Sequence, residues 1–206
     1  MELPDRVPGL TARAGITLRP WRLSEEDLDL VRQASRDDYI PAITTVPRPY
    51  TDAEGAAFVR RQWHRTETGR GYPFVIVAPG GRPVGSVGLW LKDLDRGRAS
   101  LGYWMAGSGR GRGAASAALE AVAGWALHGL AVPRLELYVE PWNTASRRTA
   151  ERAGFRREGV LRERMQIAGE LRDMDLYSLL RGAPPEEDRA AEASALGRFG
   201  GTTGSH

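Results

Sequence analysis

Apolar and polar positions change period several times along the chain, and each change marks an element. Ile16 and Leu18 alternate with Thr17 and Arg19, which predicts a strand over residues 16–22. Ser24 is a good N-cap with Asp27 three residues on, and Leu28, Val31 and Ala34 then recur at helical spacing, so a helix follows over 25–35. Pro41, Pro47 and Pro49 mark an irregular connection. Thr51 or Asp52 caps a second helix through Phe58, Val59 and Trp63. The period then drops to two. Runs at 73–78, 83–91 and 99–105, joined by Pro79-Gly80-Gly81 and a turn over 93–97, read as an antiparallel meander. A helix over 114–128 carries Ala115, Leu119, Val122 and Trp125 or Ala126 on one face. It is followed by a strand at 133–140, the turn Pro141-Trp142-Asn143, and a short helix over 144–153 closed by Gly154. Two strands at 158–166 and 171–179 end the pattern. The strand–helix–strand unit in the middle requires parallel neighbours.

Composition narrows the function classes. The chain has 206 residues, room for one full domain but not comfortably for two. No apolar run is long enough to span a bilayer, and residues 1–15 show no signal peptide, so a cytoplasmic protein away from membranes is expected. Cysteine is absent, which excludes a disulfide framework, a thiolate zinc site and a cysteine nucleophile; no metal is expected. Net charge is +3, too mild to argue for a nucleic-acid partner. Nearly all positive charge is arginine, with Lys92 the only lysine. Residues 1–15 read as an N-terminal extension and 16–181 as the domain. Residues 182–206, with Pro184-Pro185 and the acidic Glu186-Glu187-Asp188, read as a flexible tail.

The chemistry concentrates where the third meander strand runs through Met105 and Ala106 into Arg110-Gly111-Arg112-Gly113-Ala114-Ala115 and a helix begins. Amides at a helix start have no internal partners, the macrodipole is positive there, and glycines let the backbone approach an anion. Arginine adds forked donors suited to phosphate. A Walker A loop would need Gly-Lys-Ser/Thr, which is missing. A Rossmann reading fits Gly109, Gly111 and Ala114 loosely, but its loop belongs after the first strand of a parallel half rather than after a meander.

These residues resemble the GNAT superfamily of N-acetyltransferases, whose Gln/Arg-x-x-Gly-x-Gly/Ala motif fits residues 110–115. Within it, Leu18-Arg19-Pro20-Trp21, Glu140-Pro141-Trp142-Asn143-Thr144-Ala145-Ser146, Ala153-Gly154-Phe155 and the 172–178 run resemble the RimJ/RimL-type branch, which acetylates protein N-terminal α-amines. The resemblance spans about residues 16–180. It implies an α/β fold of mixed α+β character: a central, mostly antiparallel sheet of about seven strands flanked by four helices, with a splayed parallel pair at the site of the substrate acetyl-CoA. The pantetheine would pair with Met105 and Ala106, the pyrophosphate would sit on the amides of Arg110, Gly111, Arg112, Gly113, Ala114 and Ala115, and Asn143 would bond the pantetheine. Acetyl transfer would be direct, with a backbone amide near Met105 polarising the thioester.

The tyrosine acid of many superfamily members falls at Ala150, so the resemblance implies Ser146 as proton donor, against a reading of Ser146 as a helix cap. The glutamate base of RimL-like enzymes falls at Met165; Glu163 and Glu158 on the same strand are the candidates instead. The segment 37–51 and the loop Gly169-Glu170 should frame the acceptor, with Tyr39, Ile43, Tyr50 and Trp90 as walls and Asp37-Asp38 as an attraction for a cationic amine. The implied acceptor is a protein or peptide N-terminus. A small-molecule amine such as an aminoglycoside or polyamine, and a non-catalytic acyl-CoA-binding module, are the alternatives. A homodimer is the general prior.

Overall fold

The computed structural model describes residues 3–182. In chain order the elements are β1 (Leu10–Thr11), β2 (Thr17–Pro20), α1 (Glu25–Ser35), α2 (Ile40–Ile43), α3 (Asp52–Glu67), β3 (Gly71–Val77), β4 (Pro83–Trp90), β5 (Arg98–Met105), α4 (Ala114–Gly124), β6 (Arg134–Val139), α5 (Thr144–Arg152), β7 (Arg156–Ile167) and β8 (Glu170–Leu180). The strands form one sheet in the order β1-β2-β3-β4-β5-β6-β8-β7. All neighbours are antiparallel except β5 and β6.

The mixed sheet and its parallel pair match the expectation. Two elements were not foreseen. The N-terminal segment lays β1 along the edge of β2, with Leu3, Val7 and Leu10 against the core. The proline-marked connection contains the short α2, in which Pro41 takes a first-turn position where its missing N–H costs nothing. The expected helix over 114–128 is α4 followed by a π-helical turn, Trp125–Gly129, in which Leu130 N–H reaches Trp125 O. The tail expected at 182–206 falls, apart from Gly182, outside the described residues.

The sheet is buried on both faces, which explains why β3 and β4 read as almost continuous apolar runs. Phe74, Leu89, Leu101 and Leu135 pack with Leu119 and Val122 of α4. On the opposite face Val75, Val77 and Trp104 pack with Val31 of α1 and Phe58 of α3. Two of the motifs that carry the family resemblance serve this frame. Arg19 of β2 makes a bidentate bond to the fully buried Asp27 of α1 (2.8 and 2.6 Å), which also accepts Arg22 N–H, so the helix is tied to the strand. Asp175 of β8, 1% exposed, accepts from Arg157 at 2.9 and 2.7 Å. Arg147 lies 3.4 Å from its second oxygen.

Candidate active site

Pairing of the two parallel strands stops at Leu101↔Leu137, although β5 runs on to Met105. Beyond that point β5 keeps its ladder with β4 on one side and β6 keeps its ladder with β8 on the other, so the pair splays. The gap opens into a cleft of about 1100 Å³ that crosses the sheet. Peptide groups along a strand alternate in direction. Ala106 N–H donates to Val84 O at 2.9 Å, so the even-numbered positions of β5 serve β4, and the peptide groups of Tyr103 and Met105 face the gap. This corrects the expected role of Ala106, whose amide is already used. The Met105 carbonyl accepts Arg110 Nε at 3.1 Å, which leaves the Met105 N–H as the donor aimed into the gap.

The glycine loop lies at the mouth of the gap. Gly111 and Gly113 have φ of 76° and 75°, a left-handed conformation that residues with a Cβ adopt only under strain. The first helical bond of α4 runs from Ala117 N–H to Gly113 O. The amides of Gly111 through Ser116 therefore have no acceptor among the described residues, and they form a concave run of donors at a helix start. The arginines behave differently from expectation. Arg110 is tied to Asp37 through its Nη2, which joins the loop to the segment after α1. Arg112 is exposed and does not line the cleft. Burial pushes the Asp37 carboxyl up, but the amides of Ile40 and Tyr39 and the Arg110 guanidinium more than offset it and hold it below its ordinary value. Asp37 is thus a loop anchor, and Asp38 pairs with Arg48 at the surface.

Across the gap, α5 presents Asn143 and Ser146. Asn143 is the N-cap: its Oδ1 accepts Ser146 N–H at 3.0 Å. Ser146 is therefore not the cap, and its Oγ lies 2.8 Å from the Tyr103 hydroxyl. Burial raises the Tyr103 phenol, partly offset by bonds to Ser146 and Thr149, so it stays protonated. Ala150, where the superfamily's tyrosine would stand, is fully buried. A tyrosine hydroxyl still reaches Ser146, from β5 instead of α5. Its signal in the sequence was the Gly102-Tyr103-Trp104-Met105 end of the strand feeding the loop.

The candidate bases are not brought into the cleft. Glu158 is clamped by Arg134 (2.9 and 2.6 Å) and Ser178 (2.5 Å), which together hold its carboxyl down to about 2. Glu163 sits at a register shift between Leu161 and Met165 with φ 49°, its N–H bonded to Asp173, and its exposed side chain is not part of the lining. Met165 does line the cleft. The carboxylate that does so from the sheet is Glu140, immediately after β6 and only 4% exposed. It accepts the Tyr39 hydroxyl. Burial and Glu140 together raise Tyr39 well above a normal phenol, so it remains the donor. The Tyr39 ring stands edge-on to Trp142 at 5.2 Å, next to Asn143. Of the expected walls, Tyr39, Ile43 and Trp90 line the cleft, while Tyr50 stacks under Arg32 outside it. Gln166, Ile167 and Met174 take the place expected for Gly169-Glu170.

A splayed parallel pair, a loop of free amides at its mouth and a cleft through the sheet define an acyl-CoA-type transferase scaffold, and comparison with known proteins agrees. The acetyltransferase (GNAT) domain profile matches residues 16–156. An uncharacterized N-acetyltransferase, p20, from Bacillus licheniformis is 30% identical over 168 residues, covering 81% of this chain and 93% of that protein. A probable N-acetyltransferase, YjcK, from Bacillus subtilis is 28% identical over 171 residues, 80% and 93% of the two chains. Mycobacterium smegmatis RimJ, solved in complex with CoA-disulfide, superposes with a TM-score of 0.73 at 26% identity over 91% of this chain and 94% of its own. The chain belongs to the GNAT acetyltransferase family and is an acyltransferase. Its structural neighbours also include a RimL ribosomal L7/L12 α-N-protein acetyltransferase (19% identity, TM-score 0.70, covering 86% and 100% of the two chains), the branch its motifs resemble. No helix among the described residues is long and apolar enough to cross a membrane.

Proposed function

We propose that this protein transfers an acetyl group directly from acetyl-CoA to a primary amine, foremost a protein or peptide N-terminal α-amine. The observation that carries the reading is the continuity of the splayed β5–β6 gap with the free amides of Gly111 through Ser116. The pyrophosphate would rest on those amides, and the pantetheine would run along the Tyr103 and Met105 peptide groups. The Met105 N–H would meet the thioester carbonyl oxygen as its charge develops. The amine nitrogen attacks the thioester carbon and the carbon–sulfur bond breaks. The amine proton passes to Glu140, which Tyr39 orients. The thiolate takes the Ser146 hydroxyl proton as Ser146 takes that of Tyr103, and Tyr103 regains its proton from solvent as CoA leaves. An α-amine, with a pKa near 8, is neutral often enough at pH 7 to need only this modest help, whereas a lysine amine near 10.4 needs more.

The test is thiol release from acetyl-CoA by the full chain with peptide N-termini, aminoglycosides and polyamines as acceptors, with product mass to confirm acetylation. Turnover of peptides is the expected result. CoA binding without turnover on any amine would mean a non-catalytic acyl-CoA module, and turnover confined to aminoglycosides or polyamines would replace the peptide acceptor. Binding of a nicotinamide dinucleotide in place of CoA would overturn the reading altogether.

A further inference from the structure

At the end of the cleft away from the loop, the Trp90 indole lies flat on the sheet. It can do so because Gly71 and Gly88 carry no side chain: a Cβ at either would fall within 2.8 and 2.3 Å of the indole. The Arg65 guanidinium covers the other side of the ring, 5.1 Å from its centroid. Arg65 is fixed there by Gln62 Oε1 and, at 3.3 Å, by Thr45 Oγ1. Gln62 is itself buried and bonded to Phe58 O at 2.9 Å. Both hydrogen-bond partners of Arg65 are neutral side chains. No carboxylate among the described residues pairs with Arg65. The charge that acts on it is that of Arg61, of the same sign, which reaches Thr45 O at 3.1 Å and has a buried Nε without a partner. Burial, and then Arg61, depress the Arg65 pKa. A half-buried cation held in one geometry, facing a cavity and lacking a counter-ion, is a site built for an anion brought by a ligand. Arg148 and Arg152 also line the cavity, but from α5 on the opposite face of the sheet, beside the donor gap.

The position of Arg65 relative to the reacting end follows from the register. Trp90 stands opposite Ser100 of β5. Glu140 lies three residues past Leu137, the end of the parallel pairing, so counted along the strands it is four residues beyond the Trp90–Ser100 rung. The separation along the strands is then roughly 13 Å at the usual rise per residue. We infer that the acceptor amine carries a carboxylate or phosphate at its far end, and that Arg65 on its Trp90 platform binds this anion. The inference rests on the reading of the cleft as an amine-acetylating site. It selects among acceptors: peptides with an acidic or phosphorylated residue a few positions from the N-terminus fit, whereas polyamines and aminoglycosides would place a cation against Arg65.

The test uses the full chain, acetyl-CoA and alanine-based tetrapeptide amides whose fourth residue is aspartate, phosphoserine, asparagine or lysine. Binding to the CoA-loaded protein and turnover are measured separately. The expected result is an affinity and a 1/KM at least about tenfold higher for the aspartate or phosphoserine peptide than for asparagine, with lysine weakest. The comparison of the two acidic peptides tells a carboxylate site from a phosphate site. In Arg65→Gln the preference should vanish, in Arg65→Lys it should survive in part, and in Arg65→Glu it should turn toward lysine. Equal binding of acidic, neutral and basic peptides to the wild-type protein overturns the inference without any variant, as does an acid preference that persists in Arg65→Gln. Selective binding without acetylation of any peptide supports the anion site and overturns the transfer reading instead.

Discussion

The half of the cleft proposed for the acyl donor offers main-chain amides, with Asn143 and Ser146 of the α5 start facing them, and the half proposed for the acceptor is lined by side chains from distant segments. On the proposed donor side the groups on offer are peptide N–H donors, placed by a strand that loses its neighbour and by two left-handed glycines. On the acceptor side Tyr39, Arg65, Trp90 and Glu140 come from the α1–α2 connection, α3, β4 and the end of β6. Backbone sites depend on conformation, so they tolerate almost any side chain but few changes of φ. Side-chain sites depend on identity, so single substitutions can retune them while the fold stays as it is. A scaffold of this kind can keep one acyl donor and vary the acceptor.

That contrast can be broken in order of effect. Glu140→Gln should lower kcat by about 100-fold or more, the usual weight of a general base, and leave CoA affinity measured by calorimetry unchanged. A loss of CoA binding instead would place Glu140 on the donor side. Gly113→Val should do the reverse. The forced left-handed φ costs about 1–2 kcal/mol or re-aims the amides, and CoA should bind roughly tenfold or more weakly. Unchanged CoA affinity would mean that the loop amides do not hold the pyrophosphate. Ser146→Ala and Tyr103→Phe should each lower kcat by about tenfold, and the double variant by little more, because one hydroxyl supplies the other. Full multiplication of the two effects would show separate roles.

The smallest effect concerns Glu158, the strand carboxylate outside the cleft. Its folded pKa, about 2, is below the unfolded value near 4.3, so its pairing stabilises the fold above that unfolded value. The contribution fades as pH falls from there toward 2. Because its side chain is 40% exposed, water screens the pair, and the loss should be at most about 1 kcal/mol. Urea midpoints for wild type and Glu158→Gln should converge at low pH while activity at neutral pH is equal. A large activity loss in Glu158→Gln would restore it as a base.

Hydrophobic period and capping residues, local properties of the chain, were enough to place α1, α3, α5, the β3–β5 meander and the parallel crossover. They were equally enough to mark the glycine loop ahead of α4, because glycine spacing at a strand-to-helix junction is itself a local conformational signal. Three things lay beyond local reading. Whether Ser146 or Asn143 caps α5 depended on which side chain folded back and which met Tyr103. Whether Glu158 or Glu163 could reach the cleft depended on the register shifts of β7 and on Arg134, a residue of a different strand. The pairing of Tyr39 with Glu140, and of Arg65 with Trp90, joins positions far apart in sequence with no shared motif. The sequence by itself determined most of the elements, their order and the glycine-rich start of α4 with its free amides, because each rests on interactions between near neighbours. Only the tertiary structure decided which carboxylate, hydroxyl and cation line the cleft, because those facts depend on the order of strands in the sheet and on charges that other segments neutralise or leave free.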